Sequence, residues 1–386
     1  MKFVRVSTTG VQVEGELYVG INHTPIQQAL NFVNTVGGGV IFIEKGLYSI
    51  AAPMNVFSNT EIYGEGKHTI LRSTMANSGN YAVFSIVGTA AIPRENIYIH
   101  DLFIGNDLTT KTGRNGIFMQ YCGKSPNAGL GVGGVGGYDL ATVGITPENK
   151  FGVRIEDCII QNNIFHGINI NSSFNNIITN NVITGNSTYG INVASSNNNI
   201  MSLNTVQNNA SYGIYLASSH SNNIINNRVQ NNQAYGIHTT SSNNNTITGN
   251  TLQNNANIPI YLQTSHNSTV AGNTLQNNAG QGIYVISSNY TIITANTVQG
   301  SNGHGIHPYT AVRCAINGNT VQNCTSYGMY IYYNGHYSTA LANICTDNAS
   351  VGLGIGSCSY LSVAGNIYNT SSLGASSSVL VPNITI

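Results

Sequence analysis

Charge is what this sequence has least of. Its 386 residues hold 13 Lys+Arg and 13 Asp+Glu, 7% of the chain, where a soluble domain usually carries about 25%. The signs cancel, so no net field draws in nucleic acid or an anionic membrane. No apolar run approaches the roughly 18 residues of a spanning helix, so membrane insertion is not expected. The opening segment, MKFVRVSTTGVQVEGELYVG, lacks the apolar stretch of a secretory leader. Six Cys are too few for a disulfide framework at this length. Cys314, Cys324, Cys345 and Cys358 fall in different columns of the repeat described below, which predicts free, partly buried thiols. The ten His show no His-Glu-x-x-His spacing, so neither a metal nor a cofactor is expected. Apolar content of 41% is ordinary and excludes disorder driven by excess charge.

The shortage has a location. Residues 1–157 hold 11 of the Lys+Arg and 12 of the Asp+Glu, and beyond Asp157 only Arg228, Arg313 and Asp347 remain. Asn, Ser, Thr, Gly, Tyr and aliphatic residues replace the missing charge in a repeat. NNNIMSLNTVQNNASYGIYLASS (197–219) is followed by HSNNIINNRVQNNQAYGIHTTSS (220–242) and by further units of the same form. Asn recurs at 181, 204, 227, 250, 273, 296, 319, 343 and 366, every step 23 residues except one of 24. Gly recurs at 167, 190, 213, 236, 282, 305, 328 and 352, with Pro259 in one place.

That period excludes a propeller blade, which needs about 40 residues. Sparse Leu and Asn/Ser/Gly-rich connectors argue against a leucine-rich repeat. A coil of three short strands and three turns fits, so the expected fold is all-β, a right-handed parallel β-helix of about 23 residues per coil. In GIYLA and GIYVI the period of two turns Ile and Val/Leu inward. The Asn column is then scaffold: stacked side chains bond up and down the solenoid, and Asn tolerates left-handed turns. Thr24-Pro25-Ile26-Gln27 reads as N-cap, N1 proline and capping-box Gln of a short helix, with Ile26, Ala29, Leu30 and Val33 on its apolar face and Gly37-Gly38-Gly39 as its stop. Such a helix caps the first coil. The expected organisation is one structural domain: a cap over 1–37, irregular coils over 38–150 with a Gly-rich loop at 123–150, regular coils over 151–380 and a tail at 381–386.

TPIQQALNFVNTVGGGVIFIEKGLYSI resembles the N-terminal cap and first coil of the pectate-lyase-like superfamily, and the repeats resemble its carbohydrate-processing, NosD-type β-helix proteins. The resemblance covers essentially the whole chain. It implies a polysaccharide-related role but does not choose among lyases, hydrolases, mannuronan C5-epimerases, tailspikes and members without catalysis. Where the epimerases carry a Tyr-Gly-Phe-Asp-Pro-His strand, this chain has HGININ, with Asn169 and Asn171 at the Asp and His positions.

The residues themselves narrow the chemistry. Glycoside hydrolysis needs paired carboxylates and calcium-dependent elimination needs several, yet from residue 158 onward only Asp347 exists. Any carboxylate site must draw on Asp101, Asp107, Asp139, Glu148, Glu156 or Asp157. The cluster read from the loop region is Asp107, Lys111, Arg114, Lys124 and Asp139, one wall of a substrate groove. Gly123-Lys124-Ser125 and GLGVGG (129–134) lack the context of a phosphate-binding loop. Two residues after the Gly column stands an outward file, with Tyr215, His238, Tyr261, Tyr284, His307 and Tyr330, joined two positions on by Tyr309 and Tyr332. Such rings offer a sugar apolar contact and hydrogen-bonding tips, so Tyr215, His238, Tyr261, Tyr284, Tyr330 and Tyr332 are the expected substrate contacts. The repeat is most disturbed at SNGHGIHPYTAVRC (301–314), where Pro308 takes an inward strand position. His304, His307, Tyr309 and Arg313 gather there, a set able to run β-elimination with a His or Tyr base and an Arg neutraliser.

Three readings stand: a glycan-recognising protein of the cell exterior or virion surface, a polysaccharide lyase, and a structural trimeric fibre. Eleven Asn-x-Ser/Thr sequons fit an exterior setting, though an Asn-rich chain makes many by chance. Few titratable groups predict a stability that depends little on pH, suited to acidic surroundings.

Overall fold

The computed structural model describes residues 2–8, 16–75, 82–106, 115–123, 152–369, 371–374, 377–380 and 384–385. It is a parallel β-solenoid of about 13 turns with one short helix. Its backbone clusters into two units, Met1–Val182 with Ser195–Ile200, and Ile183–Ala194 with Met201–Ile386.

In the second unit each coil is three short strands. Ile214–Ala217, Asn223–Ile225 and Arg228–Gln230 form one coil. Each pairs in parallel with the strand one repeat later, in register Ile214↔Ile237, Ile224↔Ile247 and Val229↔Leu252. Strict register follows from the repeat, because a one-residue slip would turn the aliphatic side chains outward. Ile214, Leu216, Ile224 and Val229 are all fully buried.

Neutral hydrogen bonds fill the corners. Asn227 Nδ2 donates to Asn250 Oδ1 at 3.0 Å and to the Met201 carbonyl at 2.8 Å. The same pattern runs from Asn250 to Asn273 and from Asn273 to Asn296. A second ladder links Asn209, Asn232, Asn255 and Asn278. A third passes the Ser219 amide to Ser242 Oγ and the Ser242 amide to Ser265 Oγ. The expectation for the first column is corrected in one respect. Its members are buried and do not occupy the left-handed region; their predecessors do, as at Asn226, φ 54°, and Ala295, φ 53°.

In the first unit Lys2–Ser7 pairs with Gly39–Ile43, which pairs with Thr60–Ser73. Thr60–Ser73 and Ile97–Gly105 are long enough to bend through a corner, with register shifts near Gly66. The helix is His23–Thr35, and Pro25, Ile26, Ala29, Leu30 and Val33 are its buried residues. Its N-cap is Asn22, not Thr24: the Asn22 Oδ1 accepts from the Thr24 amide at 3.0 Å. Gln27 does not reach back to a capping box; it exchanges hydrogen bonds with the backbone of Asn55. The stop is as expected, with Gly37 and Gly38 at φ 83° and 132°. Of the Gly-rich loop 123–150, all but Gly123 lies outside the described residues.

All six cysteines are free and buried outright, not partly, because the coil turns their columns inward. Burial pushes the thiols of Cys122, Cys158, Cys314 and Cys345 up to about 12.

Candidate functional site

Parallel pairing stacks the outward residues of the second unit's Gly-column sheet. The register aligns Tyr215↔His238, His238↔Tyr261, Tyr261↔Tyr284 and Tyr284↔His307. The rings follow at centroid separations of 5.2, 4.6, 5.2 and 5.1 Å, and His307 meets Tyr330 at 5.3 Å.

A second file, unnoticed in the sequence, stands beside the first. It occupies the position just before the Gly column, where Tyr189, Tyr212, Tyr235, His304 and Tyr327 recur as Tyr-Gly or His-Gly pairs. Tyr189 stacks on Tyr212 at 4.8 Å, and Tyr212 on Tyr235 at 5.0 Å. The files interlock: Tyr212 and Tyr235 meet His238 edge-on, and Tyr327 stacks on Tyr330 at 4.5 Å. The recurrent Tyr-Gly dipeptide was the available signal.

Interlocking alters what the face offers. Rings about 5 Å apart and nearly parallel consume much of each other's faces, leaving edges and phenol hydroxyls to solvent. His238 and His307 are only 6% and 8% exposed. His238 is thus a buried spacer among tyrosines and not a surface contact. Tyr215, Tyr261, Tyr284, Tyr330 and Tyr332 remain half-buried and reachable. The files end on glycine: Gly354 and Gly356 pair with Tyr330 and Tyr332. A Cβ on Gly354 would come within 2.6 Å of the Tyr327 ring.

Burial also sets the electrostatics. It pushes His238 down to about 4 and His307, with a smaller push from His304, down to about 3. It lowers His304 and raises Tyr215, Tyr261 and Tyr284. At neutral pH the face is therefore uncharged. His307 Nδ1 lies 2.7 Å from Gln281 Oε1 and donates to it. Its Nε2 is buried with no hydrogen-bond partner among the described residues.

The structure gathers His304, His307 and Tyr309: His304 meets His307 edge-on at 4.7 Å, and His307 meets Tyr309 at 5.8 Å. Pro308 pairs with Val285 and is buried, as its inward position requires. Arg313 goes elsewhere. Its guanidinium lies over Tyr290 and Tyr337 in the following turn.

The described carboxylates of the first unit bond to one another's neighbours. His100 is held by Asp101 at 2.8 Å and Glu61 at 3.2 Å, so both ring nitrogens are occupied. Glu156 accepts from Tyr98 at 2.6 Å and Arg154 at 2.8 Å, and Arg154 holds its carboxyl low. Asn180 donates to Asp157. Asp107, Lys111, Arg114, Lys124 and Asp139 lie outside the described residues.

The chain matches two family models, "Right handed beta helix region" over residues 110–275 and "Periplasmic copper-binding protein (NosD)" over residues 258–380. Copper is a property of that second family's name; among the described residues no three His, Cys, Asp or Glu side chains converge to hold a metal ion. No curated protein matches. Among solved structures, the Azotobacter vinelandii mannuronan C-5 epimerase AlgE6 A-module is similar at 16% identity and TM-score 0.72, covering 94% of this chain and 95% of its own. The catalytic domain of a GH87 alpha-1,3-glucanase, in complex with nigerose, is similar at 14% identity and TM-score 0.61, covering 93% and 67%. The Dettilon tailspike protein is similar at 13% identity and TM-score 0.52, covering 91% and 64%. Repeat, stacked sheets and these matches agree on the fold: the chain is a right-handed parallel β-helix.

Proposed function

We propose that this protein recognises a polysaccharide on the tyrosine face of its second unit, in an outward setting such as a cell exterior or a virion surface. The observation that carries the reading is the aromatic file from Tyr215 to Tyr330, flanked at both ends by a second file that Ile258 and Gln281 interrupt, a neutral surface in a unit with one acidic residue, Asp347. Sugars meet such a surface through C–H contacts on half-exposed rings and hydrogen bonds to phenols. The matched NosD family is named periplasmic, and the tailspike and glucanase neighbours support the carbohydrate reading by fold.

Physical chemistry supports binding over catalysis at His304, His307 and Tyr309. A general base works best with a pKa near the working pH, and burial moves His307 to about 3. Affinity electrophoresis against a panel of polysaccharides tests the reading. The wild type is retarded by at least one polymer, and Tyr261→Ala/Tyr284→Ala loses that retardation about tenfold or more. Incubation with uronate polymers releases no unsaturated product; release that His307→Gln/Tyr309→Phe abolishes would establish the lyase instead. An oligomer that buries Tyr261 and Tyr284 would establish the fibre.

A further inference from the structure

One turn column of the second unit carries large side chains through four successive coils. Its early members are Ser221, Asn244 and Asn267, at φ 55°, 59° and 54°. Asn accepts the left-handed region readily; bulkier residues do so at a cost of about 1 kcal/mol. The next four members are Tyr290, Arg313, Tyr337 and Tyr360, at φ 58°, 56°, 57° and 58°. Four successive coils thus hold large side chains in a disfavoured conformation, and they are not buried in return. Tyr290, Tyr337 and Tyr360 are 47%, 55% and 63% exposed.

The side chains form one ladder. Arg313 Nη1 donates to the Tyr290 hydroxyl at 2.6 Å. The guanidinium carbon lies 5.4 Å from the Tyr290 centroid and 5.5 Å from that of Tyr337. Tyr337 stacks on Tyr360 at 4.9 Å. Arg5 pairs with Glu44 and Arg154 with Glu156, whereas Arg94 donates to the Val87 carbonyl and Arg228 to the Gln230 amide oxygen. Arg313 has no acidic partner among the described residues, and one of its five N–H donors is used by the Tyr290 hydroxyl. An exposed cation set between two exposed rings can receive a planar or tetrahedral oxyanion carried on an apolar-faced ring.

We propose that Tyr290, Arg313, Tyr337 and Tyr360 form a second subsite that takes an acid-bearing sugar, carboxylated or sulfated, so that the polymer bound is anionic. This rests on the polysaccharide reading of the tyrosine face and adds the charge that the neutral face cannot select. The test compares polygalacturonate, dextran sulfate and dextran as ligands for the wild type, Arg313→Gln, Arg313→Lys and Tyr261→Ala/Tyr284→Ala. The wild type prefers an acidic polymer to dextran, and high salt erodes the preference. Arg313→Gln weakens acidic binding about tenfold and leaves dextran binding unchanged. Arg313→Lys recovers part of the loss, because the charge stays while the fork and its stacking go. The two acidic polymers separate carboxylate from sulfate recognition. Equal binding of acidic and neutral polymers, or no effect of Arg313→Gln, overturns the subsite and leaves the face reading intact. Binding of neither acidic polymer overturns the subsite, and retardation by no polymer of the panel overturns the face reading with it.

Discussion

At the scale of single residues, two buried histidines matter more than the charge count implied. His238 and His307 are neutral in the fold and held at about 4 and about 3, against 6.5 for an unburied imidazole. Unfolding frees both to take a proton below pH 6.5, so the unfolded state binds more protons in acid. The stability they contribute is complete above pH 6.5 and is lost as pH falls through 4 and 3. The loss is on the order of 3 kcal/mol for His238 and 5 kcal/mol for His307. The melting temperature therefore falls in this window, contrary to the pH independence read from so few charges. His307→Gln flattens the fall; an unchanged profile in His238→Asn/His307→Gln would show that other groups govern it. Composition counts titratable groups, but only register shows which of them burial keeps neutral.

At the scale of the element, the coil is held by ladders more than by any one contact. Asn250 accepts from the Asn227 amide at 2.9 Å and from Asn227 Nδ2, and donates to Asn273 and to the Ile224 carbonyl. Asn250→Ala leaves these buried partners unmade, and we expect a loss of about 2–4 kcal/mol in chemical denaturation; a loss under 1 would mean that water replaces the amide. A turn column alternates His and Asn from His220 to Asn289 and continues through Val312, His336 and Ser359: His266 Nδ1 accepts from the Asn289 amide at 3.0 Å, and His336 Nδ1 from the Ser359 amide at 2.9 Å. Both rings must then carry their proton on Nε2, which nitrogen chemical shifts read directly; an Nδ1–H tautomer would refute the ladder. Much of this element was legible in the sequence. The 23-residue period announces the coil, and the alternation in GIYLA announces its inward side. The second aromatic file is harder to read, because Tyr precedes only four of the column's eight glycines, at 190, 213, 236 and 328. Thr24-Pro25 imitates a helix cap that Asn22 supplies two residues earlier. Arg313 is near His307 in sequence only: the turn at Thr310, φ 49°, carries the chain away between them.

At the scale of the whole molecule, the scarcity of charge and the wealth of tyrosine are two sides of one design. Asn and Ser ladders satisfy the interior without ions, and the outward face of the second unit is left neutral and aromatic. Glu61, Asp101 and Glu156 are held by histidine, arginine and tyrosine, and Asp157 by Asn180, so these carboxylates serve the first unit's own hydrogen bonds. Oxidative footprinting of tyrosine, with and without the best-binding polysaccharide, tests this most directly. The account predicts that Tyr212, Tyr235, Tyr261 and Tyr284 lose reactivity together on binding while Tyr63 and Tyr98 do not. Protection confined to the first unit, or no protection of the tyrosine face at saturating polymer, would contradict it.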